Sequence, residues 1–406
     1  MSSKTSPAPT PKAKAPVESA APTSVPYQVL ARRYRSRTFD EVVGQASIAT
    51  TLKSAIAQGR TAHAYLFCGT RGVGKTSMAR IFARALNAVD TLTQKEAVGD
   101  AILRGEDMDV IEIDGASNRG VDDARDLISA AGMSPARSPY KIYIIDEVHM
   151  LTTPAFNALL KTMEEPPAHV KFILCTTEPF RVPATIQSRC QRFDFKTIST
   201  AAIAAHLEAV LGQEGASAER GVLEQVARLA NGSMRDGLSL LDRLVSASGG
   251  HITTAISREV LGLPDEEVLD GLVAAIAGGD PAKGLTAAAL LLSQGMSPDH
   301  AIDTLASWLR DALLLLVCGD RTDLVELPEA TRTRLAAHAA HFEPSALVHL
   351  IALCDASVRN LRNSAVPRAI FDAMIARLCL WQQFAAAPAL LKGQAAATES
   401  PSQKKK

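Results

Sequence analysis

The sequence predicts an α/β domain built on a parallel sheet, followed by a small three-helix domain and a larger all-helical one. Three observations carry this. Between Tyr27 and about Asp194, short apolar runs alternate with stretches whose apolar residues recur every three or four positions, the order that builds a parallel sheet with helices on both faces. After Thr197 the strand signal vanishes while the helical spacing continues. An eight-residue run, Gly69-Thr-Arg-Gly-Val-Gly-Lys75-Thr76, sits between an apolar run and a helix-forming run, which is a strand, loop and helix in sequence.

Residues 1–26 are Pro, Ala, Ser, Thr and Lys with almost no large apolar side chain, so they are expected to be disordered. The α/β domain is placed at 27–196. Its strands are expected at 65–68, 110–113, 141–146, 172–176 and, briefly, 192–195. Its helices are expected at 47–58, 75–86, 121–131, 154–164 and 184–188. A ligand of such a sheet lies at the carboxyl ends of the strands. Residues 197–248 read as a three-helix lid, with helices at 201–211, 220–230 and 234–246. Residues 249–385 read as an all-helical domain with breaks near 262–264, 278–281, 295–298, 318–322 and 342–344. The tail 386–406 resembles the first 26 residues in composition and ends in three lysines.

Forty-three basic and forty-three acidic residues cancel, so net charge announces no nucleic-acid partner, although a local basic stripe suffices to bind phosphate. Aromatics at 4% favour helix-on-helix packing. No apolar run approaches the roughly eighteen residues that span a bilayer, and the N-terminus lacks an apolar signal core. No membrane role and a cytoplasmic location are expected. The six cysteines fall on apolar segments without paired spacing and read as buried free thiols.

The glycine run has chemistry in it. Glycines let backbone N–H groups curl around phosphate oxygens, and the following helix adds the positive end of its dipole. Gly69, Thr70, Arg71, Gly72, Val73, Gly74 and Ser77 therefore form the expected nucleotide cradle. Lys75 can reach the β- and γ-phosphates, and the Thr76 hydroxyl can ligate magnesium. About seventy residues on, an apolar strand ends in Asp146 and Glu147. Asp146 can hold the magnesium and Glu147 can polarise a water toward the γ-phosphate. A nucleotide and Mg are thus the expected ligands; the resemblance given next implies that the nucleotide is ATP.

Seven stretches then follow in order: Tyr27-Gln-Val-Leu-Ala-Arg-Arg-Tyr-Arg, Thr38-Phe-Asp-Glu-Val-Val-Gly-Gln, the glycine run, Ile113-Asp-Gly-Ala-Ser-Asn-Arg-Gly-Val-Asp, Ile145-Asp-Glu-Val-His-Met-Leu, Phe156-Asn-Ala-Leu-Leu-Lys-Thr-Met-Glu-Glu-Pro-Pro and Ser188-Arg-Cys. Together they resemble the gamma/tau family of bacterial DNA polymerase III, the AAA+ ATPases of the sliding-clamp loader. The likeness is dense over 27–196, looser over 197–246 and weak over 249–385, where Leu361-Arg-Asn-Ser-Ala-Val-Pro-Arg-Ala is the best anchor. It implies an AAA+ P-loop core, a lid and an oligomerising collar. It also implies a Mg-dependent ATPase within the polymerase III holoenzyme, with no polymerase site of its own.

The resemblance assigns further residues. Arg189 matches an arginine finger that reaches the γ-phosphate bound by a neighbouring subunit; otherwise it caps a helix end or pairs with Asp194. Thr177 matches a sensor of the γ-phosphate, with Thr176 as competitor. Arg235 matches a second sensor on the lid; otherwise it pairs with Asp236 or Asp242. Val43, Gly44 and Gln45 resemble the entry to the adenine pocket. The cluster Arg32, Arg33, Arg35 and Arg37 is either a nucleotide contact or a solvated arm. Ser117, Asn118, Arg119, Thr152, Thr153 and Lys161 are the implied contacts to DNA phosphates, without base reading. Implied partners are the other subunits of a hetero-pentamer, the clamp, primed DNA and the holoenzyme.

The sequence also departs from the family. Four zinc-binding cysteines usually follow the P-loop helix, whereas residues 87–105 hold neither Cys nor His; soft ligands are what such a site needs, so zinc is not expected. That stretch is expected to be a small helical insertion held by Leu92, Ala97, Ile102 and Leu103, or else a loop. His338, His341 and His349 read as structural, and the acidic run 106–114 as a loop and strand. The chain's end near 406 resembles the short, clamp-loader-only form. Two alternatives to the ATPase are a non-hydrolysing structural subunit of the same loader and another AAA+ motor, such as a junction motor or protein remodeller.

Overall fold

Strand β1 (Ala64–Cys68) lies inside a five-stranded parallel sheet with β2 (Val110–Asp114), β3 (Lys141–Asp146), β4 (Val170–Thr176) and β5 (Gln191–Asp194), in the order β2-β3-β4-β1-β5. The computed structural model describes residues 27–89, 94–117, 120, 132–263, 265–319, 322, 324–325, 327, 329–362 and 364–383. The chain divides into two units, before and after Thr197.

In the first unit, β1, β3 and β4 are near-continuous apolar runs because they are covered on both faces. Leu66 pairs with Leu174, and Ile144 with Ile173. Tyr65, Phe67, Ile144 and Ile173 pack against Met78 and Phe82 of α3 (Lys75–Asn87); the Tyr65 and Phe82 rings meet edge-on at 4.8 Å. On the other face Leu66, Tyr143, Phe172 and Leu174 pack against Phe156 and Leu159 of a helix spanning Thr153–Glu164. Both faces are therefore dry, and the carboxyl ends of β1, β3 and β4 are fixed relative to one another.

Among the described residues, the other α-helices of this unit are α1 (Leu30–Arg33), α2 (Ala46–Ala57), α4 (Lys95–Arg104), α5 (the Thr153–Glu164 helix) and α6 (Ala184–Gln187). α1 has too few residues to leave a periodic signal. β5 begins one residue earlier than its apolar residues indicate, and the Phe195 amide still bonds Cys68 O at 2.7 Å. The cysteine-free stretch forms helix α4, closed by Gly105 at φ 76°. Its anchors correct the expectation: Val98, Gly99 and Ile102 are buried, Leu103 is half-buried and Ala97 is exposed. A Cβ on Gly99 would lie 2.7 Å from Arg84 Nε, so α3 and α4 approach closely there. Leu92, both tails and the expected helix 121–131 lie outside the described residues.

The acidic run carries a structural device. Asp109 is buried and accepts the amides of Ala136 (2.6 Å), Arg137 (2.9 Å) and Ser138 (2.9 Å). Asp107 accepts the amides of Asp109 and Val110 and pairs with Arg137 Nη2 at 2.5 Å. Burial pushes the Asp109 carboxyl up, but the three amides and Ser138 outweigh it and hold its pKa below the usual value. The stabilisation is therefore complete above the ordinary carboxylate range and is lost as pH falls through the depressed native value. Asp109→Asn is expected to lower stability by about 2 kcal/mol or more at neutral pH. The gap from wild type should shrink in acid, as thermal unfolding followed against pH would show.

The second unit opens with α7 (Thr200–Gln213), α8 (Val222–Leu229) and α9 (Met234–Ser248). Ser199 and Ser233 cap α7 and α9, accepting the amides of Ala202 (3.3 Å) and Asp236 (3.2 Å). Strand structure does not end at residue 197: β6 (Ser217–Ala218) pairs in parallel with β7 (His251–Ile252), a two-residue pairing too short to show as a period. Then come α10 (Thr254–Leu261), α11 (Glu266–Gly278), α12 (Pro281–Ser293), α13 (Pro298–Cys318), α14 (Glu329–Ala339), α15 (Pro344–Arg362) and α16 (Pro367–Cys379). Proline opens four of these, α12, α13, α15 and α16, where its missing N–H costs nothing. Their core gathers Ile276, Leu291, Leu305, Leu335, Leu350 and Phe371.

His338 Nε2 lies 3.1 Å from Asp270 Oδ1 and its ring lies against Trp308. His341 Nδ1 lies 3.1 Å from Ala337 O. Four cysteines are buried and Cys190 is half-buried, but Cys318 is exposed, which corrects the expectation of uniformly buried thiols. Among the described residues, no helix is long and apolar enough to cross a membrane.

Candidate functional site

The loop between β1 and α3 takes a shape that only glycine permits. Gly69 has φ 153°, and a Cβ there would lie 2.8 Å from Phe195 O. Gly72 and Gly74 have φ 77° and 99°, the region side chains avoid. Val73 is buried and pins the loop, while Thr70 and Arg71 are exposed and Ser77 is half-buried. The loop thus wraps the N-terminus of α3, where amides without helical partners and the helix dipole favour an anion. Lys75 is buried, and its Nζ donates to Gly69 O (2.7 Å) and Thr70 O (2.8 Å). A cation is thereby stored inside the cradle.

Beside it, the Thr76 hydroxyl donates to Asp146 Oδ2 at 2.6 Å, while Asp146 Oδ1 accepts the Glu147 amide at 3.0 Å. These are hard oxygen donors, the type magnesium takes. Glu147 sits at φ 45°, a conformation that costs a non-glycine residue about 1–3 kcal/mol. The turn directs its half-exposed carboxylate into the site, where Oε2 accepts the Thr177 hydroxyl at 3.0 Å. Gly115 permits this turn: a Cβ there would lie 2.7 Å from Glu147 O. Beneath the site, Cys175 stays protonated, because burial pushes its thiol well up and the Asp146 carboxylate adds to that.

Thr176 and Thr177 divide their work. Thr176 is buried and its Oγ1 lies 3.0 Å from His149 Nδ1, so Thr177 alone of the two bonds Glu147. His149 is itself buried, with Nε2 3.3 Å from Glu178 Oε1. Sequence reasoning passed over this histidine, since its partners lie 27 to 29 residues further along.

Arg189 follows α6. Its Nη2 donates to Glu164 Oε1 at 2.6 Å and its Nη1 to Thr185 O at 2.7 Å. It does cap a helix carbonyl, but its acidic partner is Glu164; Asp194 pairs instead with Arg192 at 2.7 Å. Arg235 belongs to the second unit, exposed on the first turn of α9. Gly44 has φ 77° and Val43 is half-buried. Gln45 is buried and spent on backbone: its Nε2 donates to Lys196 O at 2.7 Å, and its Oε1 accepts the Lys196 amide at 3.3 Å. Its side chain therefore fixes the segment.

Arg32, Arg33, Arg35 and Arg37 line a cavity of about 440 Å³ with Arg80 and Arg104. Arg37 pairs with Asp100 at 2.8 Å, and Arg80 grips Glu112 with two nitrogens at 2.6 and 2.8 Å. Of the DNA candidates, Ser117 is exposed and donates to Asp114 Oδ2 at 2.8 Å. Thr152 caps α5 by accepting the Ala155 amide at 3.4 Å. Thr153 and Lys161 are exposed on that helix, and Asn118 and Arg119 lie outside the described residues.

This geometry meets known families along the chain. Residues 44–199 match the DNA polymerase III delta subunit profile, 202–250 the ATPase lid domain of DNA polymerase III clamp loader subunits, and 252–393 domain III of DNA polymerase III subunits gamma and tau. The chain is 42% identical over 245 residues to DNA polymerase III subunit gamma of Buchnera aphidicola subsp. Acyrthosiphon pisum, covering 59% of this chain and 68% of that protein. The chain belongs to the gamma/tau family of DNA polymerase III subunits. Its likeness to family members extends further: it is 40% identical over 357 residues to subunit tau of Bacillus subtilis, covering 87% of this chain and 63% of that protein. Against subunit tau of Escherichia coli K12, identity is 46% over 254 residues, covering 62% of this chain and 40% of that protein. The chain thus spans less than two thirds of these two tau relatives. The five-stranded parallel sheet is followed along the chain by the stretches that match the ATPase lid domain and domain III.

Proposed function

We propose that the chain is a Mg-dependent ATPase subunit of a bacterial clamp loader, acting in the cytoplasm within the DNA polymerase III holoenzyme. The observation that carries this reading is the bond between Thr76 Oγ1 and Asp146 Oδ2 at 2.6 Å, beside a lysine held inside a glycine cradle. Magnesium, held by Thr76 and Asp146, would neutralise charge on the phosphates.

Lys75 exchanges the carbonyls of Gly69 and Thr70 for β- and γ-phosphate oxygens, so its charge moves a short distance and is never exposed. The amides of Gly72, Val73, Gly74 and Ser77 complete the phosphate cradle, with Thr70 and Arg71 at its rim. Val43, Gly44 and Gln45 shape the adenine side. Glu147 orients water in line with the γ-phosphate and accepts its proton, while Thr177 reports the γ-phosphate to the same carboxylate. Arg189 enters the site of the neighbouring subunit and stabilises the transferring phosphoryl group, and Arg235 reaches the phosphates from the lid.

Residues 249–385 form the oligomerising collar of a hetero-pentamer. Ser117, Asn118, Arg119, Thr152, Thr153 and Lys161 touch the phosphates of primed DNA. ATP binding opens the ring-shaped clamp, and DNA-triggered hydrolysis releases it around the duplex. Turnover in the reconstituted loader, with and without clamp and primed DNA, tests this. Stimulation by both together is expected. No turnover would leave a structural subunit, and stimulation by branched DNA without the clamp would indicate a different motor.

A further inference from the structure

We infer that His149 is a positioning residue for the hydrolytic step, holding Glu147 and the Thr176–Thr177 corner in register and tying them to Glu178. This rests on the ATPase reading above. His149 is 7% exposed, and both ring nitrogens face polar atoms from residues that flank the attacking water's place. Thr176 Oγ1 accepts the Glu178 amide at 3.0 Å and lies 3.0 Å from Nδ1. Nε2 lies 3.3 Å from Glu178 Oε1. Glu147 Oε2 lies 3.6 Å from Nδ1, outside hydrogen-bond distance.

Glu147 therefore takes the hydroxyl of Thr177 at 3.0 Å and leans on the imidazole without bonding it. The ring acts as a wall behind the carboxylate. It keeps Glu147 from turning inward and leaves its other oxygen for water. Two consecutive threonines at the end of β4 are pinned in different directions, Thr176 to His149 and Thr177 to Glu147. Removing the ring releases both at once. Both nitrogens of this buried ring lie within 3.3 Å of polar atoms of Thr176 and Glu178, beside the groups that set the water's position.

The experiment uses the assembled loader with clamp and primed DNA, comparing wild type, His149→Ala, His149→Gln, Glu178→Ala and the His149→Ala, Glu178→Ala double variant. A displacement of the base by an ångström costs about a hundredfold, so kcat is expected to fall about tenfold to a hundredfold in His149→Ala. KM and the Kd for a non-hydrolysable ATP analogue should stay within about twofold. Gln, which keeps an N–H for Glu178, should recover part of the loss. The double variant should fall no further than the worse single one, because both residues act through one contact. Should His149→Ala fail to fold, His149→Gln and Glu178→Ala read the same contact. Unchanged kcat, or kcat falling while Kd rises by a similar factor with no recovery in Gln, would overturn the inference and leave the ATPase reading standing. A wild-type loader without turnover would overturn the ATPase reading first.

Discussion

Alanine in place of Lys75 is expected to remove measurable nucleotide binding from this chain. The side chain is buried and its ammonium already has two oxygen partners, at 2.7 and 2.8 Å, inside the loop. On binding, those partners are replaced by phosphate oxygens, so the gain comes from exchanging neutral acceptors for charged ones around a buried ammonium. Two charge-assisted bonds at about 1.5–3 kcal/mol each come to roughly 3–6 kcal/mol. That corresponds to a factor of about 10² to 10⁴ in Kd. Titration with a fluorescent ATP analogue reads this directly, with circular dichroism confirming that the sheet persists. A Kd within about tenfold of wild type would mean that the cradle glycines and the α3 terminus hold the phosphates by themselves.

Arg189→Ala is expected to leave ATP binding intact and to lower turnover in the assembled loader by about 10³ to 10⁵. The geometry explains how one arginine serves a partner's site. Its ion pair with Glu164 is part-exposed, 34% on the arginine and 50% on the glutamate, and such a pair contributes only about 0–1 kcal/mol. The guanidinium is held in a defined direction yet leaves its resting partner at little cost. Arg189→Lys should recover little, since an ammonium lacks the planar fork of donors. The check is steady-state ATP turnover of the complex with clamp and primed DNA, alongside nucleotide binding by the isolated variant. Normal turnover in the variant complex would mean that hydrolysis is completed within a single chain.

These two residues were legible in the sequence for different reasons. Lys75 sits in a local pattern whose meaning depends only on the strand before it and the helix after it. Asp146 and Glu147 stood out because an apolar strand that ends in two carboxylates must expose them at the sheet's carboxyl edge. Arg189 was recognisable from its neighbours Ser188 and Cys190, but its resting partner was not: Glu164 lies 25 residues earlier on another element. His149 and Asp109 were missed for the same reason. Each is defined by partners that the fold brings from 27 to 29 residues away, and a lone histidine or aspartate carries no pattern.

Short elements escaped as well. A two-residue pairing such as β6 with β7 has no period to detect; α4 was expected as one of two alternatives, but of its buried pair Val98 and Ile102, one turn apart, Val98 was not among the expected anchors. Ala97 is apolar but faces outward, which composition alone does not reveal. The long strands and the helices of the second unit were readable because burial repeats along them many times over.

The distribution of thiols has a practical result. Cys68, Cys175, Cys354 and Cys379 are buried, and burial pushes Cys190 and Cys354 up to about 12, so near neutral pH those two hold almost no reactive thiolate. Cys318, exposed on the last turn of α13, is open to reagent. A maleimide dye should attach there first and to a single equivalent, as intact mass spectrometry would verify. The native polypeptide thus arrives with a built-in handle on its helical half, ready for fluorescence work without engineering.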